Sequence, residues 1–342
     1  MKFPVRPLSI AISIIAGAVL LAALLVIGLD VGGFTKTGPV RTASRARRQA
    51  EQDLPDIGSR MLSGLKLVPN WHRKELVAVM VENHETARPF QEGVDQALLV
   101  AEFPVEGLIS RFALVFDRDD LPKRIGPVRS LRPYFIDALQ PMAGAVIHAG
   151  GSPEAFARVE KGDIHAANLL FYYDDAERDD AVPEPHNLFV QSDKIEKLIP
   201  EDLPRVAWPP YAIGTPSTGS AALLVELNFY NYYHNVTYTY HRLSDSYIRS
   251  SGDVAEQGSP RNVLILETPI TDIGEHGRLT IPLEGEGPVA LFHSGKVQIG
   301  TWSKQGLYEP FVFQTDDGRP FLFDPGQTWM TAVPDMGRLK WE

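Results

Sequence analysis

The 342-residue chain has no cysteine. That excludes disulfides, thiolate nucleophiles, Cys-ligated zinc and a lipidated N-terminal cysteine. It also fits an extracytoplasmic compartment. Neither HExxH nor HxH occurs among the nine histidines, so no metal-binding spacing can be read. There is no G-x-S-x-G elbow, internal repeat or low-complexity tract. Basic residues are in short supply, 33 Lys and Arg against 43 Asp and Glu, for a net charge of −10. The imbalance is uneven. Residues 1–48 hold seven bases and one acid, +6, which leaves the remainder at −16. An acidic body excludes a general nucleic-acid binder, which needs a cationic face to release counterions.

What the chain does have starts with Ser9–Leu29, 21 uncharged, apolar residues preceded by Lys2 and Arg6. The run is long enough to span a bilayer and longer than a usual signal core, with no clear Ala-x-Ala site after it. We read residues 1–30 as a membrane anchor, with a cleaved signal peptide as the alternative. Lys36, Arg41, Arg45, Arg47 and Arg48 beyond it favour a cytoplasmic side by cation count. The short, signal-like N-terminus favours the opposite, and the expectation is a single-pass protein with its body outside. Residues 31–70 read as a stalk.

The expected fold is an α/β (α+β) N-terminal domain over 71–203, a Pro/Gly/Ser/Thr-rich linker over 204–220, and a β-rich C-terminal domain over 221–342. Leu76–Val81 is a buried-strand pattern. Ala97–Phe103 and Leu108–Phe116 read as a hairpin, and a turn centred on Glu106-Gly107 predicts Glu102 opposite Arg111. The stretch from Leu121 to Gly162 organises the rest. Arg124, Arg129 and Arg132 crowd one turn and helix start. An apolar run, Ala143–Ile147, delivers His148 into Ala-Gly-Gly-Ser. Ser152-Pro153-Glu154 then opens a helix that stops at Lys161-Gly162.

A strand that ends in His-Ala-Gly-Gly and feeds a helix N-terminus beside arginines predicts an anion or polar-ligand pocket. Its candidate binding residues are Arg111, Arg129, Arg132, Gly150, Gly151, Ser152 and Asn187. The candidate acid–base groups are Glu102, Glu106, His148 and His186, with Asp163 and His165 nearby in sequence. The competing readings are structural. Glu102 and Arg111 would be a sheet ion pair, the arginines would tie loops to acids, His148 would bond backbone at a strand end, and Ser152 would be a helix cap. No metal and no cofactor is expected.

Several segments carry a resemblance: VAVMVENHETARPF, RFALVF, RIGPVRSLRPYFIDAL, VIHAGGSPEAF and PHNLF, then RNVLILE, ALFHSGKVQIGTW and DPGQTWMTAVP. In this order, over roughly residues 70–335, the chain resembles the YerB-like bacterial lipoprotein family, whose domain of unknown function is numbered 3048. The resemblance implies an envelope protein held at its N-terminus and implies no chemistry. With no cysteine to lipidate, a protein anchor would replace the lipid. The function these readings favour is a membrane-anchored envelope protein with a polar or anionic ligand pocket, binding peptidoglycan or another envelope polymer. A metal-independent hydrolase or lyase using Glu102, Glu106 and His148 is the second reading. A structural partner-binding module is the third.

Overall fold

Strand β1, His72–Glu82, is apolar at every position from Leu76 to Val81 because both of its faces are covered. The computed structural model describes residues 72–342 apart from 216–218, 230, 253, 256–257 and 275. The expected membrane anchor and stalk lie outside the described residues. Among the described residues no helix is long and apolar enough to cross a membrane.

In chain order the elements that matter are β2, Leu99–Pro104, and β3, Ser110–Asp117; α1, Pro133–Leu139, and β4, Ala145–His148; α2, Pro153–Glu160, β5, His165–Asn168, and α3, Ser192–Leu198. Beyond residue 220 come β6, Leu224–Leu227, β7, Val236–His241, and β8, Ser246–Ser251. They are followed by β9, Asn262–Glu267, β10, Gly285–His293, β11, Lys296–Lys304, β12, Thr328–Val333, and β13, Leu339–Trp341. Among the described residues strands dominate and the few α-helices lie before residue 200, a mixed α/β fold in two parts.

One sheet runs through both parts, in the order Ser220–Ala221, β11, β10, β9, β12, β2, β3, β1, β4, β5. The junction is the parallel pairing of β2 with β12, Leu99 opposite Thr328 through Glu102 opposite Thr331. The 204–220 stretch crosses between the parts through short pairings. Arg205–Trp208 lies antiparallel to the start of β1, and Ala212–Ile213 lies parallel to Leu322–Phe323. The described residues from 72 to 342 accordingly belong to one compact unit.

The sheet has two differently used faces. One carries a single core from Leu76, Ala78 and Met80 to Leu264 and Met330, covered by α1 through Phe135 and Ile136. The other is divided. Val77, Val79 and Leu114 pack under α3 through Ile195 and Leu198. Val263, Ile265 and Phe292 pack instead against the second sheet, made of β8, β7, β6 and β13. Arg249 of β8 fills the seam between these two cores. Its guanidinium lies 4.7 Å from the Trp329 ring centre and 5.6 Å from that of Phe112, and donates to Glu102 at 2.7 and 3.0 Å.

The predicted pairing of Glu102 with Arg111 is not formed. The β2–β3 connection is five residues, Val105 to Ile109, folded into a short 3-10 turn with Gly107 and Leu108 both at positive φ. An odd loop moves the register by one, so Glu102 faces Phe112 and Arg111 faces Phe103. With a side-chain period of two, that single step sends Glu102 and Arg111 to opposite faces. The helix at Pro153 does begin as read, with Ser152 Oγ accepting from Ala155 N–H at 3.3 Å.

Glu102 and Arg249 are 1% and 0% exposed. Removing one partner strands the other charge, which typically costs about 3–5 kcal/mol, whereas replacing both by apolar groups is often near neutral. Arg249→Met should therefore lower the urea unfolding free energy by about that amount. Adding Glu102→Met should recover most of it.

Candidate functional site

The end of β1 opens into a loop, Asn83 to Arg88, closed by Ala87 N–H and Arg88 N–H on the His84 carbonyl at 2.8 and 3.2 Å. Asn83 is buried and roots the loop, its Nδ2 donating to Ser110 Oγ at 2.8 Å. Segment 127–131 is wedged between this strand end and the turn after β4. Glu82 N–H reaches Pro127 O at 2.9 Å and Arg129 N–H reaches Met80 O at 2.9 Å. On its other side Ala149 N–H reaches Arg129 O at 3.0 Å and Leu131 N–H reaches Gly150 O at 3.0 Å. Val128 N–H also donates to Leu188 O at 2.7 Å, which brings the His186–Leu188 segment alongside.

These contacts gather Glu82, Thr86, Arg129 and His186. Glu82, 5% exposed, places Oε2 at 2.8 Å from His186 Nδ1. Arg129 Nε donates to the same oxygen. An ionised carboxylate brings no proton of its own, so Nδ1–H of His186 donates, and its Nε2 is the acceptor nitrogen. Arg129 Nη2, at 3.2 Å from Nδ1, is then a neighbour rather than a donor to it. His186 Nε2 lies 2.8 Å from Thr86 Oγ1, which lies 2.8 Å from His84 Nδ1. The two imidazole rings stack at 5.6 Å.

Arg111 sits across the sheet from Glu82 on β1 and from Phe103 on β2. It is 7% exposed and donates Nη1–H to the Ser130 carbonyl at 3.0 Å. Among the described residues it forms no ion pair, because the neighbouring acids are taken. Glu82 holds Arg129, and both oxygens of Glu106 hold Arg132, at 2.7 and 2.9 Å. Burial, and then the charge of Arg132, pull the Arg111 pKa down to about 10. Burial alone would raise Glu106, but the Arg132 hydrogen bond and charge keep its carboxyl below the ordinary value.

The remaining predicted residues are placed as follows. His148 is 1% exposed, its Nδ1 donates to Gly150 O at 2.7 Å, and burial lowers its pKa. Gly150 is at φ +75°, gives its N–H to Asn168 Oδ1 at 2.9 Å, and faces Ser130 Oγ, which a Cβ there would approach to 3.3 Å. Gly151 bridges Leu131, and Ser152 is a helix cap. Asn187 is buried and accepts from Arg178 at 2.9 Å. Asp163 is bound by Arg158, and His165 Nε2 meets Leu198 O at 3.2 Å. Arg129 and His186 thus come together, with Arg111, Arg132 and Glu106 beside them. Glu102 lies on the other face. Of the arginines expected to make a cationic pocket, Arg129 is held by Glu82 and Arg132 by Glu106.

Glu82 and Thr86 escaped the sequence reading. Their one signal was position, in the polar loop directly after the strongest apolar strand. His234 escaped as well. It is fully buried behind the loop, and its Nδ1 accepts from Ser110 N–H at 3.2 Å with Arg88 Nη2 also at 3.2 Å. Among the described residues no group of three or more His, Asp or Glu could hold a metal.

Burial, then the Arg88 charge, lower His234 from 6.5 to about 4. The folded state therefore binds this proton more weakly than the unfolded chain. Stability is constant above about pH 6.5 and falls as pH drops from 6.5 towards 4, by on the order of 3 kcal/mol for this group. His148, also lowered, acts in the same direction. Urea unfolding at pH 7.5, 6 and 5 should show the slope, and His234→Gln should flatten a large part of it.

The chain is similar to known proteins in sequence and in fold. The chain is 32% identical over 311 residues to YerB of Bacillus subtilis (strain 168), which is described as a candidate lipoprotein. The match covers 84% of this chain and 91% of the relative. The crystal structure of the Bacillus subtilis YerB protein superposes with a TM-score of 0.71 at 30% identity, over 82% of this chain and 98% of that one. The model of the N-terminal domain of the protein family of unknown function DUF3048 matches residues 62–205, and that of its C-terminal domain matches 225–330. The two matches meet at the shared sheet and include every residue of the Glu82–His186 cluster, so the chain belongs to the DUF3048 family.

Proposed function

We propose that this chain is a membrane-associated cell-envelope protein that holds an anionic group of an envelope polymer, of the peptidoglycan class, in the pocket around Arg111. The observation that carries the reading is Arg111 itself. A cation 7% exposed, with one hydrogen bond to a carbonyl and no ion pair among the described residues, is costly unless a counter-charge arrives. Ser130, whose carbonyl accepts from Arg111, ties that position through its Oγ to the Ala149 carbonyl and so to the glycine turn after β4. The relative described as a lipoprotein supports the envelope location. The apolar Ser9–Leu29 run would do here what a lipid does there.

A polymer, rather than a small ion alone, is favoured by the aromatic rim. Leu170 Cδ1 comes within 3.6 Å of the Cβ position of Gly150, which places the Leu169–Tyr173 turn beside the pocket. In that turn Phe171 is 75% and Tyr173 82% exposed. Open aromatic faces beside a polar pocket suit the apolar faces of sugar rings.

Calorimetry of the full-length protein with soluble peptidoglycan fragments, and with inorganic phosphate as the minimal anion, tests the reading. Binding should weaken with salt. Arg111→Gln should weaken it about 10–150-fold, the value of one charge-assisted hydrogen bond. Thermal unfolding of the variant should be unchanged or raised, because a buried unpaired charge is gone. Unchanged binding in Arg111→Gln would remove the pocket.

A further inference from the structure

We infer that Thr86, His186 and Glu82 form an acyl-transfer centre, with Thr86 as nucleophile and His186 as its base. The wiring is that of a carboxylate–imidazole–hydroxyl relay. Glu82 Oε2 takes Nδ1–H of His186 at 2.8 Å, and the freed lone pair on Nε2 meets Thr86 Oγ1 at 2.8 Å. The carboxylate is buried, the imidazole is 14% exposed, and the hydroxyl is on the surface, so the relay runs outward to a reachable oxygen. Arg129 locks the carboxylate from behind, and Glu82 and Arg129 are positioning residues that act through the imidazole.

His84 Nδ1 lies 2.8 Å from the same Thr86 oxygen and accepts the Thr86 N–H at 3.3 Å. Thr86 Oγ1 has one proton to give, so only one of the two imidazoles takes it at a time, and His186, oriented by Glu82, is the one placed to hold it. A second carboxylate–histidine–hydroxyl cluster in the chain shows the contrast. There Ser294 Oγ donates to Asp324 at 2.5 Å, while His293, 0% exposed, turns Nε2 to Gln298 at 2.8 Å. In that cluster the hydroxyl is bonded to the acid and not to the base, and the imidazole is sealed, so it is a structural network.

The reaction is closed in atoms and charge. Thr86 Oγ1 adds to the carbonyl carbon of an ester, and its proton passes to His186 Nε2. The tetrahedral intermediate collapses with cleavage of the acyl carbon–oxygen bond, and the departing alkoxide takes the proton from His186. Water then adds to the acyl-threonine with His186 again accepting a proton. The acid leaves, and Thr86 recovers its hydrogen. No oxidant, reductant or metal enters. The substrate class is an acyl ester, of the kind that decorates surface polymers. The centre uses different atoms from the Arg111 pocket, so failure of anion binding in Arg111→Gln leaves this inference standing.

The test is labelling of the full-length, detergent-solubilised chain with a fluorophosphonate probe, together with hydrolysis of p-nitrophenyl acetate. The expected result is one covalent label, mapped by peptide mass to Thr86, absent in Thr86→Ala and retained in Thr86→Ser. His186→Gln should lower the hydrolysis rate on the order of 10³-fold. Glu82→Gln should lower kcat strongly with KM held, and should shift the pH profile of the residual rate, which a merely structural role would not do. Thermal unfolding of each variant separates loss of chemistry from loss of fold, and Thr86→Ser decides the matter should Thr86→Ala not fold. No label on the wild-type chain, a label on another residue, or hydrolysis by Thr86→Ala at the wild-type rate overturns the inference.

Discussion

The Glu102–Arg249 ion pair is the constraint on which the two parts of the chain depend. Glu102 sits where β2 meets β12, and Arg249 reaches it from the second sheet. A charged pair at 1% and 0% exposure is directional where apolar packing is not. The guanidinium must lie between Trp329 and Phe112 and point at one carboxylate, so the second sheet can close over the first in one register. Ser110 Oγ, at 2.6 Å from the same carboxylate, carries that geometry to the end of β3. Asn83, bonded to Ser110, carries it on into the loop of His84 and Thr86.

The surface site therefore inherits its rigidity from the seam behind it. Asn83 Oδ1 accepts from Arg88 Nε and Gln91 Nε2, at 3.2 and 3.3 Å, so the loop is held from both ends. Charge is distributed unevenly in front of it. Arg129 and Arg132 are neutralised by Glu82 and Glu106, while Arg111, between them, is not. This leaves a positive charge between two quenched ion pairs, where a low-dielectric surround makes it count for more than it would in water.

Much of the architecture was legible in particular segments. Leu76–Val81 reads as a buried strand and Ser152-Pro153-Glu154 as a helix start, because run length and capping chemistry are local. The β-rich second part is rich in turn residues, such as His293-Ser294-Gly295-Lys296, which joins β10 to β11. The hairpin register was not legible. Whether Gly107 ends a two-residue or a five-residue turn depends on how Leu108 tolerates φ of 57°, which neighbours decide. The cost was specific, since Arg111 was assigned the wrong partner and Glu102 the wrong face.

By itself the sequence determined the local and additive properties of this protein: its lack of thiol chemistry, its acidic body, its strand and helix starts, and the arginine-rich stretch that borders the site. Those depend on residue type and near-neighbour spacing, which the chain order contains. Only the tertiary structure decided which charges are quenched and which hydroxyl meets which imidazole. Glu82, Thr86, Arg129 and His186 are separated by up to 104 residues, and they meet through the wedge of segment 127–131 against the end of β1. Long-range encounters of this kind follow from packing and from hydrogen-bond satisfaction of whole strands. Those are properties of the folded chain, not of any stretch of it.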